Sequence, residues 1–218
     1  AKRILNHIPE DYDLLVIPVA YGGTGFTTGR GNGTYNEETK TPQDALYSWG
    51  KDSAYYLAMR DRIEHVLSLN EANYLIGVVW CQGEMDNAKP AEHTPAFKAM
   101  TDAFFAHFNG GQYKDRVKSG TWGPEQWFIY ETVQHYMNMA GVRQIWEEYE
   151  KWNPNNYVTI PYVGDPNDYT NKIGGAPATG KKEDGSASRT LESHFGNGAF
   201  EKVVAPAVYK KMLENNIF

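Results

Sequence analysis

The stretch Tyr74-Leu75-Ile76-Gly77-Val78-Val79-Trp80 runs directly into Cys81-Gln82-Gly83-Glu84-Met85-Asp86-Asn87. The first half has no polar alternation, which reads as a β-strand covered on both faces, as in parallel sheets. The second half crowds polar groups just past the strand's carboxyl end, where such sheets bind ligands. Working outward, Leu14 to Ala20 (LLVIPVA), Trp127 to Tyr130 and Tyr157 to Val163 read as further strands. Between them the period changes to that of helices. Tyr56, Met59, Ile63, Val66 and Leu67 recur at helical spacing after Asp52 or Ser53 as N-cap. Thr94-Pro95 looks like a helix start, and Phe97, Met100, Phe104 and Phe108 make one apolar stripe closed by Asn109-Gly110-Gly111. Met139 to Trp152 and Gly198 to Asn215 complete the helices, the last disturbed near Pro206. Alternating strands and helices predict an α/β fold, a doubly wound parallel sheet with flanking helices in a three-layer sandwich.

Bulk properties narrow the function classes. The 218 residues suffice for one domain, and no linker or repeat divides them. A net charge of -6 argues against nucleic acid as a partner. No apolar run reaches the roughly 18 residues of a membrane span, so no membrane partner is expected. Cys81 is the single cysteine, which excludes an internal disulfide and a thiol-based zinc cluster. That composition is compatible with a bacterial cytoplasm, a periplasm or a phage virion. Aromatics reach 14%, enough to line a sugar cleft or to fill a core.

Three segments carry chemistry. Tyr21-Gly22-Gly23-Thr24-Gly25-Phe26 follows the first predicted strand, and its glycines let backbone N–H groups approach an oxyanion or phosphate. In the second, Gln82 has an amide to offer a developing oxyanion, while Glu84 and Asp86 are candidates for a general-base or orienting role. The alternative for those acids is a helix start with first-turn carboxylates. The third is Glu192-Ser193-His194-Phe195, where a histidine after the long polar stretch Gly164 to Ser193 can serve as general base. His7, His65, His93, His107 and His135 read as surface or helix residues.

Taken in order, these segments resemble the sialate O-acetylesterase branch of the SGNH hydrolases. The first strand with GGTGF is similar to that family's second block, WCQGEMDN to its W-x-Q-G-E-x-D/N block, and ESHF to its histidine block. Gly33-Thr34-Tyr35 and the Ser48-Trp49-Gly50 turn extend the likeness. The resemblance implies one SGNH-hydrolase-like domain over residues 1–218, incomplete at the N-terminus. It implies an O-acetylated sugar as substrate, an acetyl-serine intermediate, and neither metal nor other cofactor. Carried over by motif, Gly22 or Gly23 offers an N–H to the oxyanion, Gln82 stands in place of the family's block-three asparagine, and His194 is the general base. Tyr21, Phe26, Trp49, Trp80 and Tyr136 lie near these blocks as candidate sugar-lining rings, although each taken singly reads more often as packing.

Two departures are visible. The family's nucleophile lies in a G-x-S-N motif after a first strand upstream of GGTGF, and this chain starts past it. Ser186 and Ser188, in the polar stretch, are poor substitutes. The serine and that strand are therefore expected from an upstream segment of the same protein, this chain alone being inactive. The family also places Asp three residues before the histidine, where this chain has Leu191. A backbone carbonyl near Leu191 is the expected orienting group, with the Glu192 carboxylate second. The alternative function is a non-catalytic glycan-binding module of the same fold, such as a phage tail adhesin.

Overall fold

Three parallel strands carry the architecture of the computed structural model, which describes residues 4–20, 22–27, 35–36, 38–42, 48–121, 123–124, 126–153, 156–163, 195 and 199–217. In chain order the elements are β1 (Tyr35–Asn36), β2 (Thr41–Pro42), α1 (Ala54–Leu69), β3 (Val78–Trp80), α2 (Pro90–Gly110), β4 (Ser119–Gly120), β5 (Gly123–Pro124), β6 (Trp127–Tyr130), α3 (Gln134–Met137), α4 (Ala140–Trp152), β7 (Tyr157–Ile160) and, after a π-turn at Phe200–Val204, α5 (Ala205–Glu214). β3, β6 and β7 lie side by side in that order, with Val78 opposite Trp127 and Trp127 opposite Tyr157. Parallel neighbours need long crossovers, and α2 and α4 supply them. β1 with β2 and β4 with β5 form two small antiparallel pairs.

Alternation along β6 divides the core. Trp127 and Ile129 face a cluster built by α1, α2 and α4, while Phe128 faces a second cluster built with Val204, Val208 and Met212. Helices thus cover both faces, and the expected three-layer α/β sandwich is what forms. The Phe97–Phe108 stripe is fully buried, as its spacing implies. Phe97 is the hub, edge-on to Trp127 at 5.6 Å between centroids and 4.9 Å from Tyr149.

Helix ends follow local chemistry with two adjustments. Ser53 caps α1 by accepting the Tyr56 N–H at 3.2 Å. α2 starts at Pro90, a turn earlier than Thr94-Pro95 suggests, and Pro95 sits inside it. A proline so near the start removes one hydrogen bond without breaking the helix. Pro206 acts similarly: it has no N–H, and the chain inserts a π-turn in which the Ala205 N–H reaches back to the Phe200 carbonyl.

One predicted strand is not a strand. Leu14–Ala20 lies against the core through Leu14, Ile17 and Val19 but joins no ladder among the described residues, and Leu15 and Val16 are more than 60% exposed. Apolar pattern alone does not make a strand without a neighbour to bond to. Its contact is the Arg62 guanidinium, which donates to the Pro18 carbonyl at 2.8 Å. The predicted strand at Tyr74–Trp80 also shortens to Val78–Trp80, preceded by an isolated bridge at Leu75, and that at Tyr157–Val163 ends at Ile160. Gly164–Ser193 lies outside the described residues.

Because Phe97 touches every layer of the larger cluster, Phe97→Ala is expected to lower stability by about 3–5 kcal/mol. Urea denaturation followed by tryptophan fluorescence measures it.

Candidate functional site

The site is built where β3 ends. Past Trp80 the chain turns through Gly83 into a short 3-10 turn at Glu84–Asp86, and this brings Asp86 beneath the Gly22–Thr27 segment. The Asp86 carboxylate has no solvent exposure. It accepts from the Phe26 N–H (2.8 Å), the Thr27 N–H (2.9 Å), the Thr27 hydroxyl (2.8 Å), Gln82 Nε2 (3.4 Å) and His93 Nδ1 (2.6 Å). Burial pushes this carboxyl up, but the bonds from His93, Phe26 and Thr27 outweigh it and hold the group well below the usual carboxylate range. His93 Nε2 in turn meets the Tyr149 hydroxyl at 2.6 Å. Burial keeps that phenol protonated by raising its pKa well above the ordinary value.

The glycine turn has two parts. Thr24, Gly25 and Phe26 are buried, with the Thr24 carbonyl accepting from Gln82 Nε2 (3.1 Å) and the Gly25 carbonyl from the Trp49 N–H (2.8 Å). Gly25 must be glycine, because a Cβ there would stand 2.4 Å from Asp86 Oδ1. Gly22 and Gly23 are exposed, their N–H groups donate to nothing among the described residues, and nothing lies within 4 Å of where side chains would begin. Gly23 has φ +79, in the left-handed region that glycine adopts without strain. A clamped root therefore carries an open tip with free amides.

The remaining predicted residues divide clearly. Gln82 sits beside the turn, both its N–H groups directed inward at Thr24 and Asp86, and its buried Oε1 has no partner among the described residues. The 3.4 Å bond to Asp86 is the weaker of the two. Glu84 accepts from the Thr132 hydroxyl at 2.7 Å, at the end of β6. Phe26, Trp49 and Trp80 are buried and pack on one another, Trp49 edge-on to Trp80 at 4.9 Å, which is the packing alternative. Tyr136 is half-buried against the same cluster. Tyr21, Leu191, Glu192, His194, Ser186 and Ser188 fall outside the described residues. Phe195, next in sequence to His194, packs between Tyr130 (6.0 Å), Tyr162 (5.8 Å) and Phe200 (5.1 Å), beyond the ends of β6 and β7. Cys81 is unsuited to nucleophilic work: burial, with Glu84 nearby, pushes its thiol well up. Among the described residues no cluster of His, Cys, Asp and Glu has the makings of a metal site.

His93 reads as a surface or helix residue in the sequence; it lies in α2, but fully buried between Asp86 and Tyr149. The signal is present, since stepping back four residues from Phe97 extends the buried stripe to position 93.

Asp86 also makes stability depend on pH. Its folded pKa lies below the unfolded value, so its stabilisation is complete above about pH 4 and is lost as pH falls further. Asp86→Asn is expected to cost about 3–5 kcal/mol at neutral pH, because the donors around it lose their charged acceptor. The difference between the two proteins should shrink below pH 4 in urea melts taken across that range.

No family model matches the chain. A curated relative from Escherichia coli (strain K12), described as "Probable 9-O-acetyl-N-acetylneuraminic acid deacetylase", is 26% identical over 229 residues, covering 98% of this chain and 68% of the relative. Among solved structures, that of NanS superposes with a TM-score of 0.84 at 24% identity, covering 98% of this chain and 68% of the other. The resemblance to the sialate O-acetylesterases is thus borne out in sequence by the deacetylase relative, and the α/β fold by the structural match.

Proposed function

We propose that the protein is a carbohydrate O-acetylesterase that removes acetyl groups from sialic acid or a related bacterial glycan. The observation that carries this reading is the open tip of the glycine turn. Two unpaired amides, on Gly22 and Gly23, stand beside Gln82 at the carboxyl edge of a parallel sheet. Such preset donors suit the oxyanion of acyl transfer. The name of the E. coli relative adds the substrate class.

In this reading His194 removes the proton from a serine hydroxyl as the serine oxygen attacks the acetyl carbonyl. The tetrahedral oxyanion receives the Gly22 or Gly23 N–H and the Gln82 amide, whose long bond to Asp86 is the one given up. Collapse expels the sugar oxygen, which takes the proton from His194 and leaves an acetyl-serine. Water, deprotonated by the same imidazole, then releases acetate. The Leu191 carbonyl, Glu192 or Glu84 orients the imidazole. Tyr21 and Tyr136 are the rings we assign to the sugar; Phe26, Trp49 and Trp80 are buried in the core.

The serine comes, in our reading, from an upstream segment of the same protein. Two features support a strand arriving there. β3 is an edge among the described residues, with Val79 half-exposed, and Leu14–Ala20 is an apolar run that joins no ladder. An unpaired edge is a template for another strand.

The 218-residue chain alone is expected to hydrolyse p-nitrophenyl acetate no faster than background, while the chain joined to its upstream segment turns it over. Turnover by the isolated chain would dismiss the upstream serine, and glycan binding without turnover by the joined one would favour the binding module. In the active form His194→Ala is expected to lower kcat by roughly 10⁴-fold or more. Gln82→Ala is expected to lower it by roughly 10²–10³.

A further inference from the structure

At 2.6 Å, Asp86 and His93 have the spacing of a catalytic acid–base pair, but their surroundings exclude that use. Both side chains are sealed from solvent, and the far ring nitrogen is occupied by Tyr149. No substrate proton can reach the pair. What it does touch is the turn: three of the five donors to Asp86 belong to Phe26 and Thr27, and a fourth, Gln82, also holds the Thr24 carbonyl.

An ionised carboxylate holds backbone N–H groups more firmly than a neutral acceptor does. Keeping it ionised in a dry site requires a full set of donors, and His93 supplies the one that comes from the opposite side. The protonated Tyr149 phenol is able to donate to Nε2, which leaves the ring proton on Nδ1, facing Asp86. The Gly25 backbone, without a Cβ, lies flush on the carboxylate.

We propose that Asp86, His93 and Tyr149 are positioning residues that fix the root of the Gly22–Thr27 turn, so that the Gly22 and Gly23 amides meet the oxyanion already aligned. The proposal rests on the acyl-transfer reading above. In it, catalysis depends on residues that never touch substrate, because small misplacements of preset donors are costly in rate. The acids of the second motif then serve two ends, with Asp86 turned toward the glycine turn and Glu84 toward Thr132 at the end of β6.

The test uses the chain joined to its upstream segment and two variants, Asp86→Asn and the milder Tyr149→Phe, which removes one hydroxyl. Amide hydrogen exchange is read at Phe26 and Thr27 and, as a reference, at Phe128 and Ile129 in β6. We expect exchange at Phe26 and Thr27 to quicken by roughly tenfold or more in Asp86→Asn through local opening, and to stay faster than in β6, whose protection falls only with global stability. In the same variant kcat should fall by roughly 10²-fold with KM within about twofold, because the turn acts on the transition state. Tyr149→Phe should move both readings in the same direction by less, and it decides the matter if Asp86→Asn does not fold. Exchange at Phe26 and Thr27 no faster than in β6 would reduce the trio to ordinary core packing and overturn the proposal. So would an unchanged kcat in a variant whose turn exchanges faster. A parent without turnover removes the acyl-transfer reading and this role with it, whereas an active parent with a fully active variant removes this role alone.

Discussion

A single buried carboxylate organises the site end of this molecule. Asp86 gathers donors from the glycine turn, some 60 residues away, and from the nearby end of β3 and first turn of α2. Burying a charge is expensive unless it is fully bonded, and here it is. The four short donors, from Phe26, Thr27 and His93, act together, since losing one of them leaves part of the charge unmet. Gly25, Thr27 and His93 are constrained together for that reason, although no two of them are adjacent in the chain.

The aromatic interior extends the constraint. Phe26, pinned at its N–H by Asp86, presents its ring to Trp80, His93 and Phe97. Phe97 passes the contact to Trp127 in the central strand and to Tyr149 in α4. Tyr149 then closes the circuit through its hydroxyl to His93. Polar clamp and apolar core are therefore one structure, each holding the other's geometry.

Much of this was legible from residue pattern. The β-rich runs at Trp127–Tyr130 and Tyr157–Ile160 and the helical spacing of the Phe97–Phe108 stripe gave sheet and helix, because buried strands and one buried helix face leave distinct patterns. Leu14–Ala20 misled because its pattern reports burial tendency, while a ladder depends on a neighbour that pattern does not contain. Thr94-Pro95 misled because local helix-start chemistry was present but Pro90 offered an earlier start. The glycine turn could be picked out by its glycines, and Gln82 by its place after β3. The trio around Asp86 could not, because it depends on a meeting of residues 26, 86, 93 and 149 that only the folded chain brings about.

The raised thiol of Cys81 has a consequence for the life of the protein. Alkylating agents, peroxides and disulfides react with the thiolate, and a sulfur held in its protonated form offers little of it. The one cysteine is thus a quiet passenger at the strand end, slow to cross-link two copies. A change in redox surroundings would leave the neighbouring glutamine and glycine turn undisturbed.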